Sequence, residues 1–225
     1  MYKPLKIISL CTCIFLTSFI SSSTEKNAEL FGSLPDVSDV LISPNGKYVG
    51  VQQRTEETII VKILDLDSAE LVNVHNFGAK GQITDFFWAT DERLVFTVAR
   101  GSTRTNEIYN SGQLVAANID GKRTKLIAGF GSAPDSRQGV RNRDRTNPER
   151  PAWIVHRLPK DPKNILVSFY DNAGFNELAE LNIMTGKVTY LTTSPVIFPN
   201  WIFDKDGKLM GVSSSTLENN SEIYL

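Results

Sequence analysis

The stretch Ile42-Ser-Pro-Asn-Gly-Lys-Tyr-Val-Gly-Val51 joins a turn to an apolar run, a pattern that predicts a hairpin turn followed by a β-strand. The same pattern occurs at three later places, Trp88-Ala-Thr-Asp-Glu-Arg-Leu-Val-Phe96, Leu158-Pro-Lys-Asp-Pro-Lys-Asn-Ile-Leu-Val167 and Phe203-Asp-Lys-Asp-Gly-Lys-Leu-Met-Gly-Val212. The first apolar residues after these turns, Tyr48, Leu94, Ile165 and Leu209, are spaced by 46, 71 and 44 residues. Two of the spacings match the period of about 40–50 residues that propeller blades have.

A second turn recurs later in the first three units, at Leu64-Asp-Leu-Asp-Ser68, Ala117-Asn-Ile-Asp-Gly121 and Leu181-Asn-Ile-Met-Thr-Gly186. Each unit therefore has the order strand, turn, strand, longer loop, strand, turn, strand, which is typical of a propeller blade. We predict an all-β fold, an incomplete β-propeller of about four four-stranded antiparallel blades, at about 35–76, 82–128, 152–193 and 196–225. A β-sandwich is the alternative, but two turn types recurring in one order favour the propeller.

The last unit is the shortest. Its predicted strands are Val196–Phe203, Lys208–Val212 and Ser221–Leu225, with no fourth strand before residue 225. We therefore expect a truncated last blade, in a chain that is the N-terminal piece of a longer protein or the product of a truncated reading frame.

The N-terminus has the pattern of an export signal. Lys3 and Lys6 precede a run of 14 apolar or small residues, Ile7–Ile20, which is followed by three serines. A membrane-spanning helix needs about 20 apolar residues, so we predict a cleaved signal peptide at 1–23. The mature chain is then exported, to the periplasm or the medium, without a membrane attachment. An uncleaved anchor and lipidation at Cys13 are the alternatives.

Composition argues against several classes of partner and site. The 225 residues include 24 Lys and Arg against 25 Asp and Glu, a net charge of −1 that provides no field for holding a nucleic acid. Both cysteines, Cys11 and Cys13, lie in the predicted signal, which leaves no thiol for a disulfide or a metal. With only His75 and His156 besides, we expect no metal site and no cofactor.

The segment 130–151 is a predicted insertion, since it accounts for roughly 25 residues beyond one blade period. It contains five arginines and almost no apolar side chain, so we expect a mobile loop. The candidate binding residues are Arg141, Arg143 and Arg145, whose guanidinium groups suit a peptide carboxylate or the surface of another domain. A solvated connector without a binding role is the alternative.

Two further groups of residues are predicted to be structural. Asp204-Lys-Asp206-Gly207 resembles a calcium loop, but the required acidic positions are occupied by Ile202 and Ser213, which indicates a blade turn. The three tryptophans recur near the first strand of their units, which favours packing in the core over a ligand cage: Trp88, Trp153 and Trp201.

The stretch Leu30–Val51, placed after a signal peptide, resembles the start of exported bacterial serine peptidases of the prolyl oligopeptidase family. The stretch Ile83–Phe96 is similar to their second blade, and Leu158–Val167 to the blade after their insertion. In that family a propeller of seven or eight blades caps a C-terminal α/β-hydrolase domain with a Ser, Asp and His triad. The resemblance implies a hydrolase domain that this chain lacks, peptide substrates for the full-length enzyme, and a propeller that admits only short peptides.

No catalytic residue is predicted in this chain. It contains no Gly-x-Ser-x-Gly nucleophile turn, and its histidines are far apart, with His75 at the edge of unit one and His156 in the first strand of unit three. We predict a non-catalytic propeller portion that gates peptide access to the hydrolase domain. The alternatives are a free-standing periplasmic propeller of the Tol-system type that binds proteins, and a half-propeller that dimerises through its open edges.

Overall fold

The computed structural model describes residues 36–78, 81–101, 108–129, 150–170, 175–215 and 221–224. The chain divides into two units, Met1–Asp36 and Val37–Leu225. Because only Asp36 of the first unit is described, the fold below is that of the second. The predicted signal peptide and residues 130–149 of the predicted insertion lie outside the described residues. No helix within the described ranges is long and apolar enough to cross a membrane.

The described part of the second unit contains fifteen strands in four sheets, here called blades one to four. Blade one consists of β1 (Val37–Ile42), β2 (Tyr48–Arg54), β3 (Ile59–Asp65) and β4 (Leu71–His75). Blade two consists of β5 (Gly81–Thr90), β6 (Arg93–Gly101), β7 (Ile108–Asn118) and β8 (Lys125–Ala128). Blade three consists of β9 (Ala152–His156), β10 (Asn164–Tyr170), β11 (Phe175–Asn182) and β12 (Val188–Ile197). Blade four consists of β13 (Asn200–Phe203), β14 (Leu209–Ser215) and β15 (Ser221–Tyr224).

Each blade is an antiparallel meander in which consecutive strands pair. Among the described residues the sheets have four, four, four and three strands, so the predicted all-β propeller with a shorter last blade is confirmed. The predicted strand Val196–Phe203 is wrong at its start. Val196 and Ile197 belong to β12 of blade three, and the first strand of blade four begins at Asn200. The strand β12 reaches Ile197 because a register shift lets Ile197 pair with Phe175, while the Ser194 hydroxyl donates to the Val196 carbonyl.

A hydrogen bond between two turns repeats in every four-stranded blade. The donor is a backbone N–H of the turn after the third strand, and the acceptor is the carbonyl oxygen just before the second strand: Leu66 to Lys47 at 2.8 Å, Ile119 to Glu92 at 3.0 Å, and Ile183 to Lys163 at 2.9 Å.

This repeated bond makes Tyr48, Arg93 and Asn164 equivalent, and Leu209 begins the second strand of blade four. The first residues of the four second strands are therefore separated by 45, 71 and 45 residues along the chain. The sequence alignment placed Leu94 and Ile165 one residue too late, because a polar residue begins those two strands.

The core lies between neighbouring blades, and strand β5 contributes to two such junctions. Phe86 belongs to the buried cluster between blades one and two, whereas Phe87 belongs to the cluster between blades two and three. Successive side chains of a strand point to opposite faces of its sheet, so one strand can pack against both neighbours. Burial of such a side chain stabilises the fold by about 1.5–3 kcal/mol.

Arg93 joins blade two to blade three by hydrogen bonds. It is buried at their junction, with only 3% of its surface exposed, which is unusual for a charged residue. Its Nη2 and Nε atoms donate to the carbonyl oxygen of Ile183 at 3.0 and 3.2 Å, and its Nη1 atom donates to Asn118 Oδ1 at 2.7 Å. Burial, and then the nearby charge of Arg123, lower the pKa of Arg93 from its ordinary value. Sequence analysis did not single out this residue.

We predict that Arg93→Ala lowers the free energy of unfolding by about 2–4 kcal/mol, because it leaves buried carbonyl groups without a donor. Urea unfolding measures the change. The matched control is Arg54→Ala at the exposed end of β2, for which we expect a change within about 0.5 kcal/mol. Equal effects of the two substitutions would contradict the role of Arg93 at the junction.

Candidate functional site

The first strands of blades one to three, β1, β5 and β9, form a surface that we call the first-strand wall. The indole Nε1 of Trp88 on β5 donates to the carbonyl oxygen of Leu41 on β1 at 3.0 Å. Arg157, directly after β9, forms an ion pair with Asp85 on β5, with 3.3 Å between Nη2 and Oδ2. Blades of a propeller surround a central channel, and these contacts between first strands indicate that the wall faces it.

Two cavities open on the first-strand wall. The inter-blade cavity, of about 320 Å³, lies between blades two and three and includes Asp85, Asn110, His156 and Arg157 in its lining. The turn cavity, of about 480 Å³, has a mainly apolar lining that includes Leu41, Pro44, Phe87, Trp88, Leu158 and Pro159. Arg157 also lines the turn cavity and is therefore shared by both.

The turn cavity results from unequal turns between first and second strands. In blade two this turn is only Asp91 and Glu92, whereas it covers 43–47 in blade one and 157–163 in blade three. The short middle turn leaves space between its two longer neighbours, and the end of β5 forms the floor of that space.

Arg157 has a guanidinium group that is held in place but remains accessible. Its Cζ atom lies 4.7 Å from the centre of the Phe87 ring, a cation–π arrangement. The Arg157 and Asp85 side chains are 51% and 48% exposed, so their ion pair adds at most about 1 kcal/mol to stability. Because the pairing uses one Nη atom in a solvated position, the other N–H donors suit the carboxylate of a ligand.

The turn that carries Arg157 is braced by local hydrogen bonds. The backbone N–H of Leu158 donates to His156 Nδ1 at 3.0 Å, and Leu158 has a φ of 47°, which is rare for a bulky side chain. The Asp161 carboxylate accepts from the Asn164 side chain and from the backbone of Lys163 and Asn164, which lowers its pKa. A braced turn keeps the guanidinium of Arg157 at the boundary between the two cavities.

The two histidines do not form a catalytic pair. His75 is buried, with its ring 4.8 Å from that of Phe96, and its Nε2 atom has no hydrogen-bond partner among the described residues. Burial lowers the pKa of His75 to about 4, against a smaller opposing effect of Asp120. His156 lies 5.5 Å from Phe203 of blade four, ring centre to ring centre. Within the described ranges, no hydrogen bond joins either imidazole to a hydroxyl group.

The residues predicted to bind ligands are not placed by the structure. Arg141, Arg143 and Arg145 lie outside the described residues. At the calcium-like turn, Asp204 Oδ1 accepts from the backbone N–H groups of Lys208 and Asp206, each at 2.9 Å, and these bonds lower the pKa of Asp204. Across the part of the chain that the structure describes, no cluster of three or more His, Cys, Asp or Glu could hold a metal ion.

The three tryptophans pack where blades or strands meet, but at different positions of their blades. In the strand pairing, Trp88 lies opposite Leu94, Trp153 opposite Ser168, and Trp201 opposite Val212. Trp201 Nε1 donates to the Ser168 hydroxyl of the preceding blade at 3.3 Å, and Trp153 packs edge-on against Tyr170 at 4.7 Å. All three are half-buried, which supports a packing role, but their regular recurrence does not reflect equivalent positions.

The cluster of Asp85, Phe87 and Arg157 was not found by sequence analysis. Asp85 and Arg157 are 72 residues apart, and neither belongs to a motif with a chemical meaning. The only sequence signal was the unusual length of the turn before Asn164, which contains two prolines.

The chain matches no known family model and no curated protein. It is similar to solved structures at low identity. An acylaminoacyl peptidase in complex with Z-Gly-Gly-Phe-chloromethyl ketone shares 14% identity at a TM-score of 0.50, over 85% of this chain and 31% of that one. The propeller domain of the Trilobed protease from Pyrococcus furiosus shares 10% identity at a TM-score of 0.48, over 84% and 56%. A Bacteroides uniformis protein described as a 6-phosphogluconolactonase shares 13% at 0.42, over 84% and 50%.

The chain thus spans about a third to a half of the structures that it matches. At these identities the similarity shows the fold alone, a β-propeller, and it is supported by the match to the acylaminoacyl peptidase structure.

We predict that acid destabilises this protein through His75. Its pKa is about 4 in the folded chain and 6.5 in the unfolded chain, so the unfolded state binds more protons between these values. Stability is therefore complete above pH 6.5 and falls as the pH decreases towards 4, with a loss of about 2 kcal/mol between pH 7 and 5. Urea unfolding at several pH values measures the loss.

The control for this prediction is His75→Leu, which keeps an apolar contact with Phe96 and cannot be protonated. We expect the stability of this variant to be nearly constant between pH 7 and 5, since carboxylates titrate mainly below that range. The same slope in both proteins would show that His75 is not the group responsible.

Proposed function

We propose that this chain is the non-catalytic propeller portion of an exported peptidase of the prolyl oligopeptidase type. Its role is to control which peptides reach a hydrolase domain that lies outside these 225 residues. The propeller fold and its resemblance to peptidase propeller domains support the proposal at the level of architecture. The export pattern at 1–23 supports a periplasmic or extracellular location.

The first-strand wall gives this proposal its most direct support. Arg157, an accessible cation of this wall, lies beside a mainly apolar cavity, and its exposed ion pair with Asp85 adds little to stability. The described residues contain no hydrogen-bonded nucleophile and base, so the wall has the chemistry of binding rather than of bond cleavage. A peptide that passes along the wall meets a guanidinium donor for its carboxylate and an apolar cavity for a neighbouring side chain.

The proposed gating uses the central channel that the blades of a propeller surround. Short peptides can enter a channel between blades in extended form, whereas a folded protein is excluded by its size. The blades are separate sheets joined by side-chain packing and a few cross-blade hydrogen bonds, such as that from Arg93 to Ile183. In this proposal such contacts set the width of the channel.

The first experiment is to read the gene beyond codon 225. We expect the reading frame to continue into a domain that contains Gly-x-Ser-x-Gly and, further on, an Asp and a His. A stop codon followed by an unrelated gene would contradict the peptidase proposal. It would favour a degenerate fragment or the free-standing periplasmic propeller that binds proteins.

We predict that Arg157→Gln in the full-length enzyme raises KM about 3–10-fold for short peptides with a free C-terminus. The value of kcat is unchanged, because the interaction contributes to binding and not to the chemical step. Steady-state kinetics with free and amidated forms of one peptide measure this difference, and the amidated form should not distinguish the variant from the wild type.

The matched control is Lys160→Gln, on the same turn, which removes the exposed ion pair of Lys160 with Asp206. We expect its KM to equal that of the wild type. An unchanged KM for Arg157→Gln with both peptides would show that the wall does not bind the peptide carboxylate.

A further inference from the structure

One face of blade one is shaped to receive an aromatic side chain of the next blade. In its sheet, Leu41, Gly50 and Ile63 lie opposite one another on three adjacent strands. A Cβ atom at Gly50 would lie 2.6 Å from Cε2 and 3.1 Å from Cζ of Phe86, so only glycine leaves room for that ring. We call this arrangement the glycine seat, and Phe86, which is completely buried, occupies it.

Blade four repeats the glycine seat. The sequence Gly46-Lys-Tyr-Val-Gly-Val51 returns as Gly207-Lys-Leu-Met-Gly-Val212, which places Gly211 two residues after the start of its strand, as Gly50 is. Ile202 pairs with Gly211 as Leu41 pairs with Gly50. In blades two and three the same position holds Val95 and Leu166, so the glycine is confined to blades one and four.

The seat of blade four faces away from blade three. Trp201 contacts Ser168 of blade three and Val212 is 5% exposed, so their side of the sheet is the covered one. Ile202, next to Trp201 in the strand, points to the opposite side because side chains alternate. On that opposite side Ile202 and Ile223 are 36% and 65% exposed, whereas Ile63 of blade one is completely buried by blade two. Gly211 itself is buried, so the exposed part of the seat consists of the side chains beside it.

We infer that the seat formed by Ile202 and Gly211 is the docking site of a further antiparallel sheet, and that the first strand of this sheet carries a bulky aromatic side chain opposite Gly211. This inference extends the junction between blades one and two, where the same row of residues receives Phe86. It depends on the fold alone and holds whether or not the peptidase proposal is correct.

A second copy of this chain fits the seat less well. Its free first strand, β1, would present Val40 where blade two presents Phe86, since Val40 pairs with Val51 and Phe86 with Phe96 at equivalent positions. Valine is much smaller than phenylalanine and would leave a void above Gly211, which weakens packing. The geometry therefore favours a blade with an aromatic side chain over self-association through blade one.

The test compares the two glycine seats in the full chain and in an extended chain. The extension is a copy of residues 64–129 added after Leu225, because Tyr224 pairs with Val212 as Lys62 pairs with Val51, so that Leu225 takes the place of Ile63. The copy supplies the end of the third strand, the turn and the fourth strand of blade one, and then the whole of blade two. In the unextended chain we expect Gly50→Val to lower Tm by roughly 5 °C or more, because the new side chain collides with Phe86. Gly211→Val should change Tm by less than about 2 °C in that chain.

In the extended chain we expect Gly211→Val to become as harmful as Gly50→Val, since the added Phe86 then needs the seat. Replacing only the added copy of Phe86 by Ala should remove this effect. An equal effect of Gly211→Val in both chains overturns the inference. A dimer of the unextended chain that Gly211→Val dissociates also overturns it, because a second copy would then be the occupant.

A second measurement decides the question if the extended chain does not fold. In a chain with Cys11 and Cys13 replaced by Ser, we expect Gly211→Cys to react with a thiol reagent at least ten times faster than Gly50→Cys. Equal protection of both thiols would show that the seat of blade four is already filled, which overturns the inference.

Discussion

Packing between the faces of neighbouring sheets is the interaction on which the rest of this structure depends. Each blade carries apolar side chains on both faces, and a sheet of this kind is stable only where another sheet covers it. Strand β5 shows how the chain meets this requirement, with Phe86 packed towards blade one and Phe87 towards blade three. The junctions, rather than the individual blades, therefore hold most of the buried apolar surface.

Polar groups set the geometry of the junctions that apolar packing stabilises. The repeated bond from one turn to another holds the second and third strands of blades one to three in register, and Arg93 adds a bond across a junction to Ile183. The first-strand wall carries Arg157, whose ion pair with Asp85 is exposed and adds little to stability. Arg157 can therefore bind a ligand with little loss of folding free energy. For this reason we interpret the wall as a binding surface.

Several features were predictable from residues close together in sequence. The turn signals at Asn45-Gly46 and Asp120-Gly121 and the apolar runs after them identified the blades, because a hairpin turn and its strands are local structures. Errors arose where local pattern and three-dimensional position differ. The repeats were aligned on their first apolar residues, Leu94 and Ile165, whereas the strands begin one residue earlier at Arg93 and Asn164, whose side chains form hydrogen bonds. The tryptophans looked regular in sequence but occupy different registers.

By itself, the sequence determined the fold class, the number and order of the blades and the lack of a nucleophile turn, because these depend on short patterns and on which residue types are present. Only the tertiary structure decided that Asp85 and Arg157 form a pair, that Arg93 is buried and bridges two blades, and that Gly50 makes room for Phe86. These contacts join residues from different blades. Their distances are set by how the sheets pack against one another, and that information is not contained in any single stretch of the chain.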